Sequence, residues 1–118
     1  MQMHPVIEEL TRVVGEKNIV IDPNELRVYE CDGFPIAKGM PLAVVFPENT
    51  EQVSAVVKAL NMHDLAIVPR GSGTGLAGGS VVYDQGVIIC TSRMTAIHKV
   101  DLENRVAVVQ SGCRNTSL

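Results

Sequence analysis

The run from Pro69 to Gly79, PRGSGTGLAGG, concentrates the groups in this chain best able to hold an anion. Five of the nine residues from Gly71 to Gly79 are glycine, and a Gly-rich turn behind a strand brings successive backbone N–H groups against a phosphate. Arg70 adds a permanent guanidinium able to grip a phosphate through paired hydrogen bonds, and Thr74 adds a hydroxyl. One cation with many amide donors suits a diphosphate set between two sugars, whose charge must be neutralised without cleavage. A glycine-rich hairpin between two strands, holding no ligand, is the other reading of the same residues.

Two better-known phosphate loops do not fit. Gly73-Thr74-Gly75-Leu76-Ala77-Gly78 matches G-x-G-x-x-G in letters, but that fingerprint needs its last glycine in the first turn of a crossover helix. Here Gly79, Ser80, two valines and Gly86 follow, and an apolar strand begins at about Val87, so no such helix has room. Gly73 and Gly78 also have P-loop spacing with Ser80 in place, yet Gly79 stands where the phosphate-binding lysine belongs. No Ser/His/Asp set, paired carboxylates or metal-ligand cluster is evident, and no catalytic residue is named. Glu8, Glu9, Glu48 and Glu51 read as solvated helix charges. His63, at a helix end, and His98, in a strand connection, read as surface or core histidines.

The elements that must carry the loop are legible from periodicity. Pro5 to Val14 predicts a helix with Val6, Leu10, Val13 and Val14 on one face and Gly15 as its stop. A short strand follows at Ile19–Ile21, then a turn at Asp22-Pro23-Asn24 and a loop carrying Tyr29, Cys31 and Asp32. Leu42 to Phe46, closed by Pro47, suits a strand buried on both faces. Asn49 predicts an N-cap with Gln52 three residues on, and Val53, Val56, Val57 and Leu60 give the helix behind it an apolar stripe. Leu65 to Val68 predicts the next buried strand, ended by Pro69. Strand, helix and strand then form a right-handed βαβ unit that sets parallel strands side by side. Val87 to Cys90 and Arg105 to Gln110 predict two more buried strands, the second after a turn at Asp101–Asn104.

Composition narrows the class of function. The 118 residues are 46% hydrophobic and 19% charged, as in one soluble globular domain. Two Tyr, two Phe and no Trp, with 10 Lys plus Arg against 13 Asp plus Glu, argue against nucleic acid as a partner. The start, MQMHPVIEEL, lacks the pattern of a secretory signal, and no apolar run approaches the ~20 residues of a membrane span. Cys31, Cys90 and Cys113 form no C-x-x-C pair and read as free or buried thiols of a reducing cytoplasm.

PLAVVFPENTEQVSAVVKAL, AIVPRGSGTGLAGGS and VDLENRVAVVQSG, in that order, resemble the flavin domain of the vanillyl-alcohol-oxidase-type FAD-linked oxidoreductases. YECDGF (Tyr29 to Phe34) narrows the likeness to the FAD subunit of bacterial glycolate oxidase and its D-lactate dehydrogenase relatives. The resemblance implies an α+β fold: the first subdomain of a PCMH-type FAD-binding domain, with a βαβ unit and a small, mostly parallel sheet. Residues 1–37 would be an N-terminal helix and irregular lead-in, and residues 38–118 the first, incomplete part of that domain. Pro69, Arg70, Gly71, Ser72, Gly73, Thr74 and Gly75 fall on the family's pyrophosphate loop, Gly78 and Gly79 continue it, and Ser111 and Gly112 fall on the next flavin-contacting turn.

The implied cofactor is FAD held without a covalent bond, since Thr74 stands where covalent relatives often carry histidine. The implied activity is oxidation of a small 2-hydroxy acid, glycolate or D-lactate, by hydride transfer to FAD, with electrons passing on to a quinone or another carrier. Catalytic groups would lie beyond Leu118, so this stretch alone is expected to be inactive and to bind FAD weakly. Other oxidase subunits are expected partners, in the cytoplasm or peripherally at the inner membrane. The competing expectations are a non-catalytic module docked on a partner chain, and another member of the flavin family, such as a sugar-nucleotide reductase or an alditol oxidase.

Overall fold

Alternation along two short strands explains the layering. In β2 (Ala43–Val45), Ala43 and Val45 join one core while Val44 joins another; in β4 (Gly86–Cys90), Val87 and Ile89 face the first core and Ile88 and Cys90 the second. Every residue of both strands is buried, as expected for central strands covered on both faces. The structure is a computed structural model that describes residues 3–31, 33, 39–82 and 85–118. The boundary between residues 37 and 38, and Asp32 and Phe34 of the YECDGF stretch, lie outside the described residues.

Helix α1 (Val6–Val14) and helix α3 (Thr50–Met62) cover the first face through Leu10, Val14, Val56 and Leu60. The second face is covered by Leu26 of the short helix α2 (Pro23–Leu26) and by Val82, with Tyr29 and Phe46 at its margin. The remaining strands are β1 (Ile19–Val20), β3 (Ala66–Arg70), β5 (Ile97–Asp101) and β6 (Val106–Val109). One sheet has the order β1-β2-β4-β3, with β1 antiparallel to β2 and the other pairs parallel. A separate antiparallel ribbon joins β5 to β6.

Several expectations are corrected here. The strands of the βαβ unit are parallel but not adjacent, because β4 lies between β2 and β3. The segment GVIIC is the more apolar and takes the centre, leaving β3 at the edge, where Ile67 is 39% exposed. Pro69 does not end that strand: it pairs in register with Ile89, and Arg70 with Cys90. The Ala66 amide donates toward β4, so two-residue periodicity turns the nitrogen of Pro69 to the open side, where no ladder bond is lost. The hairpin reading of the glycine loop fails because β3 and β4 run parallel.

Asp22-Pro23-Asn24 opens α2, with Asp22 Oδ1 accepting from the Asn24 amide at 2.8 Å; an Asx cap followed by proline serves a helix start as well as a turn. Asn49 does cap α3, accepting from the Gln52 amide at 2.8 Å, while the Gln52 side chain reaches back to the Glu48 amide. Val57 is exposed, and Ala59 joins Val56 and Leu60 on the buried stripe.

The two late strands depart furthest from the reading above. β6 is largely exposed, and His98 lies on β5, a strand with too few apolar residues to signal itself. The intervening turn is where expected, with the amide and Nδ2 of Asn104 donating to Asp101 at 3.0 and 2.8 Å. The Asn104 side chain and then its amide hold the Asp101 carboxyl below its ordinary value of 3.8. A depressed folded-state value stabilises the turn above the unfolded value and loses that contribution as pH falls through the folded one. Acidification below the usual carboxylate range is therefore expected to speed hydrogen exchange of the Asn104 amide; a rate of opening that does not change would contradict the assignment.

Candidate functional site

The parallel strands all deliver their carboxyl ends to one rim of the sheet, where ligands of open α/β sheets lie. β3 arrives with Arg70, and the chain turns at once into Gly71 and Ser72. β4 arrives beside it with Cys90, which shares Arg70's face and register. The Cys90 thiol lies 3.5 Å from the Gly71 carbonyl, and the Thr91 amide donates to the Arg70 carbonyl at 3.0 Å. These bonds tie the start of the glycine loop to the turn after β4.

That turn receives the end of the chain. The Gly112 amide donates to the Met94 carbonyl at 2.8 Å, and a Cβ on Gly112 would overlap the Thr91 carbonyl. Only glycine lets the 111–112 backbone approach so closely. The result is a cleft of about 700 Å³, with Arg70, Gly71 and Ser72 on one side and Ser111 and Gly112 on the other. Its described lining carries Arg70 and Arg114 and no carboxylate, which suits an anion.

Other residues proposed from sequence take different places. Pro69 is in the edge strand. Gly73 has φ +72° and sits over the Arg70 guanidinium, while the carbonyls of Thr74 and Gly75 face Gly33. Gly78 is buried with φ +74°, and its carbonyl accepts from the Val81 amide, bending the chain back into the core. Gly79 is exposed, with open space around the position of a side chain.

Sequence reasoning missed Tyr29, Phe46 and Cys90 in the cleft wall. The only signal was strand parity, which puts Cys90 beside Arg70. Tyr29 packs edge-on to Phe46 at 6.2 Å. Burial first, and then the neighbouring Cys90, push its phenol above the ordinary value of 10, so it stays protonated at neutral pH. His63 and Glu9 are 3.0 Å apart, and Glu48 accepts from the buried Asn18, so neither carboxylate is merely solvated. A second depression of about 810 Å³, between α1 and β1, is lined by Met3, Ile7 and Ile21 with His4, Thr11 and Arg12, and sets the carboxylates of Glu8 and Glu16 beside its one arginine.

The model of the FAD binding domain family matches residues 41–118, the whole stretch from β2 through the glycine loop to the 111–112 turn. The chain belongs to that family. Its cofactor is FAD. This FAD-binding domain is 40% identical over 108 residues to glycolate oxidase subunit GlcD of Bacillus subtilis, covering 91% of the chain and 23% of that protein. It is 44% identical over 110 residues to a D-lactate dehydrogenase of Archaeoglobus fulgidus, covering 90% and 23%.

Among solved structures, p-cresol methylhydroxylase with substrate bound superposes at a TM-score of 0.79 with 28% identity, covering 92% of this chain and 22% of that one. An alkyldihydroxyacetonephosphate synthase gives 0.87 at 20% identity, covering 98% and 24%, a likeness of fold alone. The architecture is thus the PCMH-type FAD-binding fold, mixed helices and strands around a mostly parallel sheet. The chain spans less than a quarter of the length of these relatives. No helix among the described residues is long and apolar enough to cross a membrane.

The cleft fits the family's cofactor on its own chemistry. A side chain at Gly71 would meet nothing within 4 Å, so the backbone there is bare toward an incoming phosphate. Ser72 and Ser111 bring hydroxyls to the lining, and Arg70 and Arg114 bring charge.

Proposed function

We propose that this domain holds the diphosphate of a non-covalently bound FAD with the amides of Gly71 to Gly75 and the hydroxyls of Ser72 and Thr74. Gly78 and Gly79 would continue along the cofactor, and Ser111 and Gly112 would close the opposite side. The observation that carries this reading is the meeting of Arg70-Gly71-Ser72 with Ser111-Gly112 in one cleft whose described lining holds no carboxylate. Backbone donors fixed before binding lose no freedom when the anion arrives, which favours affinity. Thr74 has no nitrogen with which to form a flavin linkage.

The protein that contains this domain is a flavin-dependent 2-hydroxy-acid oxidoreductase acting on glycolate, D-lactate or a close analogue. The reading is supported by the GlcD and D-lactate dehydrogenase relatives. When bound, FAD supplies the hydride acceptor. The chain's own residues would bind and orient it: Tyr29 and Phe46 form part of the cleft wall, and the loop would fix the phosphate end. Because GlcD is by name a subunit of glycolate oxidase, we include further oxidase subunits among the partners, in the cytoplasm or peripherally at the inner membrane. Residues 1–37 act as the lead-in and residues 38–118 as the first part of the flavin domain.

The test uses the intact protein. Denaturation should release all its flavin into the supernatant, and anaerobic D-lactate or glycolate should bleach the bound flavin. Flavin that stays with the precipitated polypeptide would refute non-covalent binding. Bleaching by neither acid, nor by D-2-hydroxyglutarate, would refute the substrate class.

A further inference from the structure

The YECDGF stretch lies outside residues 41–118 of the family match, yet its described residues touch the glycine loop three times. Arg70 Nη1 donates to the Cys31 carbonyl at 3.0 Å. The Arg70 guanidinium lies 5.2 Å from the centre of the Tyr29 ring. The Gly33 amide donates to the Gly75 carbonyl at 2.7 Å, and a Cβ on Gly33 would stand 2.7 Å from the carbonyls of both Thr74 and Gly75. Parity along β3 explains the geometry: Arg70 shares the face of Val68, and that face packs against the cluster containing Tyr29 and Phe46.

We infer that Tyr29, Cys31 and Gly33 are positioning residues: Tyr29 and Cys31 turn Arg70 inward and Gly33 holds the loop at Gly75, so that the guanidinium supports the loop from beneath Gly73 and acts on the cofactor phosphates through the loop's amides. The inference rests on the diphosphate reading above and changes the role of Arg70 within it. A guanidinium held by a carbonyl and a ring face has fewer donors left for bidentate contact with phosphate. Behind a row of amides whose N–H ends face the anion, its charge still favours that anion across the thickness of the backbone. Gly73, with φ +72°, covers it without a side chain. Phe46, edge-on to Tyr29, keeps the ring from swinging away.

The experiment measures FAD affinity, by flavin fluorescence, and the melting temperature of the apoprotein for variants of the intact protein. Tyr29→Leu removes the ring face and is expected to weaken FAD about tenfold, while Tyr29→Phe restores wild-type affinity. Gly33→Ala, whose Cβ would press on two backbone carbonyls of the loop, is expected to weaken FAD by at least as much and to lower the apoprotein melt. Once Arg70 is alanine, Tyr29→Leu should cost nothing further, because residues acting through one group are not additive. Full additivity of Tyr29→Leu and Arg70→Ala, or wild-type affinity in both Tyr29→Leu and Gly33→Ala, would overturn the inference. Wild-type affinity in Arg70→Ala would overturn the inference as well, whereas riboflavin binding as tightly as FAD would overturn the diphosphate reading itself. If Tyr29→Leu does not fold, Tyr29→Met, which also removes the ring face, takes its place in the same cycle with Arg70→Ala.

Discussion

Replacing Gly112 with alanine is expected to abolish stoichiometric flavin binding and to lower stability by roughly 1–3 kcal/mol, the usual cost of forcing an extra methyl into a packed site. The new Cβ would overlap the Thr91 carbonyl and lie 2.9 Å from the Met94 carbonyl. Both neighbours are backbone, so neither can rotate aside. The Gly112 amide also bonds Met94, and relieving the clash by moving the turn would break that bond and withdraw Ser111 from the cleft. Flavin content after gel filtration and urea unfolding of the apoprotein read the two effects separately. Gly79→Ala is the control: with nothing within 4 Å of its position, it should unfold like the wild type. If Gly112→Ala bound flavin normally, the 111–112 turn would have no place in the cofactor site.

Leu60→Ala is expected to cost about 2–5 kcal/mol, from lost burial and the cavity left behind. Leu60 is 0% exposed and belongs to the core shared by α1, α3 and the buried strands, together with Leu10, Val56 and Val87. Against the ~5–15 kcal/mol stability of an ordinary domain, that loss is large. It should appear as a lower urea midpoint with an unchanged slope, since no change in surface exposed on unfolding is involved. Val57→Ala on the same helix, at a position 36% exposed, should shift the midpoint far less. Equal shifts in the two variants would mean that α3 does not pack on the sheet as described.

The two substitutions divide along what local sequence signals and what it does not. Leu60 stands out by periodicity, three, four and seven residues beyond Val57, Val56 and Val53, and the burial of Val56 and Leu60 follows from helical geometry. Asn49 likewise signals its cap through a side chain acting three residues away. Gly112 carries no local sign of the Thr91 carbonyl against it, since those residues meet only when the end of the chain returns to the turn after β4. β5 went unread for a related reason: its residues are mostly exposed and polar, and it exists because β6 pairs with it.

Residue order alone determined the apolar runs that become β2 and β4, the capped helix between β2 and β3, and a glycine turn behind Arg70 suited to phosphate. Each depends on neighbours within about a turn of helix or a few residues of strand. The tertiary structure decided that β4 separates β2 from β3, that Arg70 points down onto Tyr29 and Cys31, and that Ser111 and Gly112 face Gly71 and Ser72 across a cleft. Those outcomes come from segments distant in the chain competing for the buried centre of one sheet, a competition that no local pattern records.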